Sequence, residues 1–150
     1  MKDDDPIRPG EACVSPPGHG DAAVYFIGRI RTPWAARESC PRRGDPLGPE
    51  CRIEVDPLWA AALEGLSQHK RLQILYWMHL SRRDLVLQTP RHSGRTTGTF
   101  ALRSPVRPNP IASSVVDLIG VAGTTVIVRG LDCMDGTPLI DIKPAERPAD

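Results

Sequence analysis

Proline and glycine interrupt this chain so often that only short elements of secondary structure can form between them. The 150 residues include 16 prolines and 13 glycines, and proline disfavours helix interiors and central strands because it fixes φ and lacks a backbone N–H. The intervening segments are rich in alternating or β-branched residues, which is typical of strands. The expected strands are residues 23–30, 52–55, 72–80, 98–102, 111–121, 124–129 and 139–142. This pattern predicts a mainly β fold, a small closed β-barrel.

Two of these segments carry more detailed predictions. Residues 72–80 are apolar on both faces, so we expect a central strand that is covered on both sides. Residues 111–121 and 124–129 flank the dipeptide Ala122-Gly123, and two such strands around a glycine-containing turn predict a β-hairpin.

One segment is expected to be an α-helix that covers the barrel. Asp56 is a suitable N-cap, and Pro57 suits the first helical position. Leu58, Ala62 and Leu66 then recur at four-residue intervals, which places them on one face of an α-helix. We therefore predict one helix that packs an apolar stripe over an open side of the sheet.

The length and the ends of the chain predict a single domain with short extensions. A chain of 150 residues is long enough to form one core. Residues 1–21 begin with an acidic run and are then rich in proline and glycine, so we expect a mobile N-terminal arm. Residues 22–145 form the predicted barrel domain, and residues 146–150 form a frayed C-terminal tail.

Cysteine usage and hydropathy argue against several classes of protein. The chain has no C-x-x-C pair and no Cys/His cluster with zinc-ligand spacing, so we expect free thiols and no metal. No signal peptide or membrane-spanning run is visible, which favours a cytoplasmic protein without a membrane partner. No G-x-G-x-x-G follows a strand, which argues against a doubly wound nucleotide-binding fold.

A proline-rich segment, residues 103–110, contains side chains suited to recognising a ligand. Its prolines stiffen the backbone and hold Arg103, Arg107 and Asn109 in fixed directions. Guanidinium and amide groups on a stiff loop suit a carboxylate, a phosphate or a base edge. The alternative is a proline-rich surface connection with incidental arginines.

Arginines concentrate in the middle of the chain, although the net charge is only +1. Residues 82–107 contain six arginines and a single acidic residue, Asp84. A basic face that meets RNA would explain this concentration. A solvated loop that is rich in arginine is the other interpretation.

Three blocks of sequence carry a family resemblance. Residues 98–105 and 107–111 read GTFALRSP and RPNPI, and residues 131–144 read LDCMDGTPLIDIKP. Residues 27–33, IGRIRTP, resemble the opening strand of the same family. The blocks occur in the order found in the TsaA-like (TrmO) family, and the resemblance covers about residues 24–144.

The resemblance implies a homodimeric β-barrel that binds S-adenosylmethionine. It further implies transfer of a methyl group to N6 of threonylcarbamoyladenosine in tRNA, next to the anticodon. The residues that match the donor-binding segments of the family are Pro41, Arg42, Arg43, His79, Leu80, Arg103, Leu131, Asp132, Cys133 and Met134. The residues expected to contact the tRNA substrate are Arg91, Arg95, Arg107 and Asn109.

Two residues of the last block are candidates for catalysis. Asp135, in the sequence Asp-Gly-Thr-Pro, can act as a base or can cap its own turn. Lys143 alternates with Asp141 on the predicted last strand, so the two can point into a site or pair on the surface. Both alternatives are open for each residue.

The chain departs from the family pattern at positions that concern the acceptor. His69-Lys70-Arg71 stands where relatives have Phe-Ser-His, and Ala145 stands where they often have an aromatic residue. Two functions are therefore alternatives to that of a tRNA methyltransferase. One is a methyltransferase of the same fold with a small-molecule acceptor, and the other is a barrel that binds the donor or RNA without turnover.

Overall fold

The chain folds as two compact units. The computed structural model describes residues 6–145. The barrel unit contains Val24–Trp77 and residues 112–145, and the second unit contains residues 6–23 and Met78–Ile111. The expected C-terminal tail, residues 146–150, lies outside the described residues, as do residues 1–5.

Six antiparallel strands close the barrel. In chain order, the strands of residues 6–145 are β1 Ala12–Cys13, β2 Gly28–Arg31, β3 Glu50–Val55, β4 Arg71–Trp77, β5 Leu85–Gln88, β6 Thr97–Gly98, β7 Ile111–Ala122, β8 Thr125–Arg129 and β9 Thr137–Pro144. The barrel has the order β2-β3-β8-β7-β4-β9. Its core includes the buried side chains of Ile30, Ile53, Ile74, Val126 and Leu139. The mainly β fold and the closed barrel are thus confirmed.

The hairpin of β7 and β8 is present as predicted. Its antiparallel pairing runs from Asp117 opposite Arg129 to Ala122 opposite Thr125. The turn lies one residue later than expected, and Gly123 at the turn has φ +61°, a left-handed conformation that glycine adopts without strain.

The structure of β4 differs from its prediction. Leu72, Ile74 and Tyr76 point into the barrel and are buried, whereas the residues between them are half-buried. A closed sheet has a single interior, so each of its strands has only one face in the core. The expectation of a strand covered on both faces is therefore wrong.

The predicted α-helix is replaced by two 3-10 helices, Pro57–Leu63 and Leu66–Gln68. Neither contains a buried residue, and Leu58 is 81% exposed. A 3-10 helix has three residues per turn, so residues four apart do not share one face. A helical segment is present where one was expected, but its apolar stripe is not buried.

Two other predicted strands differ from the structure. β2 begins at Gly28, five residues later than expected, and Tyr25 is 79% exposed. Within residues 98–102 the chain forms a 3-10 helix, Thr99–Ala101. The Thr99 hydroxyl is buried there, donates to the Leu85 carbonyl at 2.7 Å and accepts from Gln88 at 2.8 Å. These hydrogen bonds outweigh the apolar alternation that had indicated a strand.

The second unit contains a three-stranded sheet in the order β1-β5-β6. β1 lies in the segment expected to be a mobile arm. The Glu11 carboxylate accepts hydrogen bonds from the backbone N–H groups of Arg8 and Thr89, each at 3.0 Å. These hydrogen bonds and the pairing of β1 with β5 hold residues 8–13 against the sheet. The mobility of the arm as a whole stays a prediction.

A buried ion pair in the second unit makes its stability depend on pH. The Arg82 guanidinium donates to both carboxylate oxygens of Asp84, at 2.7 and 2.9 Å, and Arg82 is 8% exposed. The hydrogen bonds from Arg82 hold the pKa of Asp84 below its usual range. The stabilisation is therefore fully present above about pH 4, the pKa in the unfolded chain, and is lost as the pH falls through the lower pKa of the folded state.

We expect Asp84→Asn to lower the free energy of unfolding by about 2 kcal/mol at neutral pH, because the partly buried carboxylate loses charge-assisted hydrogen bonds from Arg82. The difference from wild type should shrink below about pH 4, where the wild-type carboxyl also becomes protonated. Denaturant titrations of both proteins at neutral and acidic pH measure this difference in the free energy of unfolding. Asp117→Asn removes an exposed pair with Arg71 and should cost less than about 1 kcal/mol. A difference that stays constant with pH would contradict this assignment.

Candidate functional site

Two loops meet at one end of the barrel. Loop A, residues 32–49, joins β2 to β3, and loop B, residues 130–136, joins β8 to β9. Because β2 pairs with both β3 and β9, and β3 pairs with β8, the two loops leave the sheet at the same end. The Asp135 N–H, near the end of loop B, donates to the Trp34 carbonyl, near the start of loop A, at 2.7 Å.

Further along, the two loops touch through their backbones. A Cβ atom at Gly44 would collide with the Gly130 carbonyl, so only glycine permits this approach. Gly44 directly follows Arg43, and Gly130 directly precedes Leu131. The contact therefore brings together two of the segments expected to bind one donor, residues 41–43 and 131–134. Of the first segment, Arg42 and Arg43 are exposed.

Side-chain hydrogen bonds hold loop B in one shape. The Thr32 hydroxyl donates to the Cys133 carbonyl at 2.8 Å, and the Thr137 hydroxyl donates to the Met134 carbonyl at 2.6 Å. The side chains of Leu131 and Cys133 are buried. A loop held at these points loses little conformational entropy when it binds a ligand.

The cysteines at the two loops are not nucleophiles. Burial raises the pKa of the Cys133 thiol to about 12. Burial, together with the charges of Asp132 and Glu38, raises the pKa of Cys40. Both thiols are protonated at neutral pH, and the protonated form is a poor nucleophile. The cysteines are free, as the sequence predicted, and they are Cys13, Cys40, Cys51 and Cys133.

The two candidates for catalysis both have structural contacts. Asp135 Oδ1 accepts from the Thr32 N–H at 3.1 Å, and its Oδ2 lies 3.9 Å from the Arg31 guanidinium. Lys143 pairs with Asp141 at 3.2 Å, and both side chains are exposed. These contacts favour a turn-bracing Asp135 and a surface ion pair for Lys143. A catalytic role for either residue stays a prediction.

A polar cluster that the sequence analysis missed lies next to loop B. The Tyr76 hydroxyl donates to Asp132 Oδ1 at 3.0 Å and lies 2.8 Å from the Ser114 hydroxyl. Burial and the charge of Asp132 raise the pKa of Tyr76 far above its usual range, so the hydroxyl keeps its proton. One sequence signal existed: Tyr76 occupies an inward position of β4, where a hydroxyl needs a polar partner.

The remaining predicted site residues lie in the second unit. His79 and Leu80 come shortly after the end of β4, and both are exposed. Arg91, Arg95 and Arg103 are exposed as well. Exposure permits contact with a ligand, and the predicted roles of these residues stay predictions.

Hydrogen bonds brace the proline-rich segment. The Arg107 guanidinium donates to two backbone carbonyls close to it in the chain, at 2.9 and 3.0 Å. The Arg83 guanidinium donates to the Pro108 carbonyl at 2.6 Å and to the Asn109 side-chain oxygen at 3.2 Å. Arg107 and Asn109 thus contribute to the stiffness expected from the prolines. Their contact with tRNA stays a prediction.

Two kinds of feature are not found in residues 6–145. These residues contain no group of three or more His, Cys, Asp or Glu side chains that could hold a metal ion. None of the helices in this part of the chain is long and apolar enough to span a membrane.

Comparison with known proteins places this barrel in a family. Residues 29–150 match the family model for the tRNA-methyltransferase O (TrmO) N-terminal domain. The chain belongs to this family. A probable S-adenosyl-L-methionine-binding protein of Rhizobium radiobacter, VirR, is 52% identical over 138 residues, which are 92% of this chain and 79% of that protein. The tRNA (adenine(37)-N6)-methyltransferase of Mus musculus is 40% identical over 86 residues, 55% of this chain and 20% of that protein.

A crystal structure of TrmO from Pseudomonas aeruginosa has the same fold. It matches with a TM-score of 0.67 and 32% sequence identity, and the match covers 83% of this chain. This chain in turn spans 56% of the length of that TrmO chain. The resemblance to the TsaA-like (TrmO) family, predicted from three blocks of sequence, is confirmed.

A guanidinium lies beside the contact of the two loops. Gly44 and Gly130 line a cavity of about 230 Å³ together with Arg71, which belongs to segment 69–71. Arg71 also forms an ion pair with Asp117 at 3.3 Å. The departure of this segment from the TrmO-family pattern stays a prediction.

Proposed function

We propose that this chain binds S-adenosylmethionine and transfers its methyl group to N6 of threonylcarbamoyladenosine in tRNA, next to the anticodon. The observation that carries the proposal is the backbone contact between loops A and B, in which Gly44, directly after residues 41–43, lies against Gly130, directly before residues 131–134. Membership of the TrmO family and the similarity to an S-adenosyl-L-methionine-binding protein support the donor. The similarity to a tRNA adenine N6-methyltransferase supports the acceptor.

The residues of the two loops suit this donor in chemical terms. S-adenosylmethionine presents hydroxyl and amino groups, a carboxylate and a positively charged sulfonium. Asp132 offers a carboxylate that accepts hydrogen bonds and favours positive charge, and Arg42 and Arg43 offer guanidinium groups that hold carboxylates. Since Thr32 and Thr137 brace loop B, its groups are in place before the donor binds.

The main task of the protein in the proposed reaction is to position the donor and the acceptor. When bound, S-adenosylmethionine supplies an activated methyl group on a sulfonium. The residues of this chain then hold the acceptor in line with the donor and exclude water, and alignment of this kind provides much of the acceleration. The transfer forms the bond from N6 to the methyl carbon, breaks the bond from that carbon to the sulfonium sulfur, and releases the N6 proton to water or to a carboxylate. The reaction needs neither Asp135 nor Lys143 as a nucleophile, and a role of Asp135 as the base stays a prediction.

Exposed arginines support tRNA as the partner. Arg91 and Arg95 are exposed in the second unit, and guanidinium groups are natural partners for RNA phosphates. We further propose that the chain acts as a homodimer in the cytoplasm, as the family resemblance implies.

A methyl-transfer assay with defined tRNAs tests the proposal. The purified chain is incubated with S-adenosylmethionine that carries a labelled methyl group and with tRNA that contains threonylcarbamoyladenosine. The same tRNA without this modification is the control. We expect label in the modified tRNA alone, in a nucleoside that has gained one methyl group. Donor binding with no label in either tRNA would overturn the proposed acceptor and would favour a donor-binding barrel or a small-molecule methyltransferase.

Arg103→Ala is expected to weaken donor binding and to leave the fold intact. Arg103 is exposed and lies in the block of residues 98–105 that carries the family resemblance. Loss of a charge-assisted hydrogen bond to the donor carboxylate should raise Kd by about 10- to 100-fold. Calorimetric titration measures this, and Arg52→Ala, at an exposed position of β3, is the matched control. An unchanged Kd would remove Arg103 from the donor site.

A further inference from the structure

We propose that Tyr76 is a positioning residue for donor binding: its hydroxyl orients the Asp132 carboxylate so that the second carboxylate oxygen, Oδ2, accepts a hydrogen bond from the donor. This role rests on the proposed function and adds a residue of the barrel interior to a site otherwise built from loops. Neither the family motifs nor the contact of loops A and B points to Tyr76.

The hydrogen bonds around Tyr76 have a fixed direction. An ionised Asp132 can only accept, so the single proton of the Tyr76 hydroxyl is donated to Oδ1, at 3.0 Å. The Ser114 hydroxyl, 2.8 Å away, must then donate to the Tyr76 oxygen. This order engages Oδ1 with Tyr76, and the proposed contact with the donor falls to Oδ2.

Burial makes the Tyr76 hydrogen bond hard to replace. Tyr76 is 3% exposed, so water does not compete for its hydroxyl. Loss of the bond would leave a buried polar group without a partner, which is unfavourable. The hydroxyl also stays protonated, because burial and the neighbouring Asp132 raise its pKa.

The backbone of loop B is fixed on both sides of Asp132, but the carboxylate is not. Leu131 and Cys133 anchor the loop with buried side chains, 1% and 2% exposed. Rotation about the last bond of an aspartate side chain is only weakly restricted. The Tyr76 hydroxyl removes this remaining freedom, and a pre-oriented acceptor binds its ligand more tightly than a rotating one.

The test removes one hydroxyl. Tyr76→Phe keeps the ring in the core, and we expect Kd for S-adenosylmethionine to rise about tenfold. KM for the donor should rise with it, and kcat at saturating donor should stay within about twofold of wild type, because positioning acts on binding. Tyr25→Phe changes the other tyrosine of the chain, which is 79% exposed, and should leave Kd unchanged.

A double-mutant cycle separates positioning from a merely structural role. Without the Asp132 carboxylate there is nothing for Tyr76 to orient, so Tyr76→Phe should not weaken donor binding further in an Asp132→Ala background. Thermal unfolding confirms that each variant is folded. Losses that add in the double variant, or an unchanged Kd in Tyr76→Phe, would overturn the role and leave the proposed function standing. A folded wild-type protein that does not bind the donor would instead overturn the proposed function itself.

Discussion

Asp132→Ala is expected to weaken binding of S-adenosylmethionine by about 10- to 100-fold, the effect of losing one hydrogen bond to a charged group. Loop B contains two carboxylates with different surroundings. The two carboxylate oxygens of Asp135 contact Thr32 of loop A and Arg31 of β2. Asp132 is half-buried, and one of its oxygens accepts a hydrogen bond from Tyr76. Asp132 is therefore the carboxylate of this loop that can serve a ligand.

A matched variant controls for the general effect of removing a negative charge. Asp141→Ala removes an exposed carboxylate of β9 that pairs with Lys143, and donor affinity should not change. Calorimetric titration of both variants, with thermal unfolding as a test of folding, gives the comparison. If folded Asp132→Ala binds the donor as tightly as wild type, Asp132 is not part of the donor site.

Gly44→Ala is expected to separate loops A and B. The new Cβ atom would collide with the Gly130 carbonyl, and a backbone carbonyl cannot rotate aside as a flexible side chain can. Forced overpacking of this kind costs about 1–3 kcal/mol, so the free energy of unfolding should fall by that amount. Since the contact joins the two halves of the proposed donor site, the affinity for S-adenosylmethionine should fall in the same variant.

Gly120→Ala is the control for this substitution. Gly120 lies on β7, and a Cβ atom there would meet no other atom within 4 Å. We expect its donor affinity and its unfolding curve to resemble those of wild type. If Gly44→Ala and Gly120→Ala both bind the donor as tightly as wild type, the contact of loops A and B is not needed for binding.

The strands that could be predicted from the sequence are those in which side-chain pattern and turn chemistry agree. β7 and β8 combine β-branched residues with a glycine at the turn, and both signals are local. The closed barrel followed from the number of short strands. The sequence pattern of β4 was misleading, because apolar residues on the outer face of a closed barrel resemble those of a strand enclosed on both sides.

Two further predictions failed because the apolar pattern did not match the local backbone. The spacing of Leu58, Ala62 and Leu66 fits an α-helix, but the backbone there is 3-10 and breaks at Gly65. Phe100 and Leu102 suggest a strand, but the buried Thr99 hydroxyl sets the local backbone.

Only part of the candidate site could be predicted from the sequence. Residues 41–43 and 131–134 are far apart in the chain, and they meet because β2 and β3 pair with the strands that flank loop B. The family motifs placed them in one site, whereas spacing alone did not. Tyr76 was missed because its function depends on two partners, Ser114 and Asp132, that are distant in sequence.

Calorimetric titration of the purified chain with S-adenosylmethionine, and with its demethylated product, tests the central claim most directly. The arrangement of loops A and B predicts saturable binding of both compounds, because both share the groups that Asp132 and the loop arginines are expected to hold. Binding by wild type and its loss in Asp132→Ala and Gly44→Ala would support the donor site. A protein that is folded by thermal unfolding and yet binds neither compound at about millimolar concentration, a free energy weaker than about −4 kcal/mol, would contradict it.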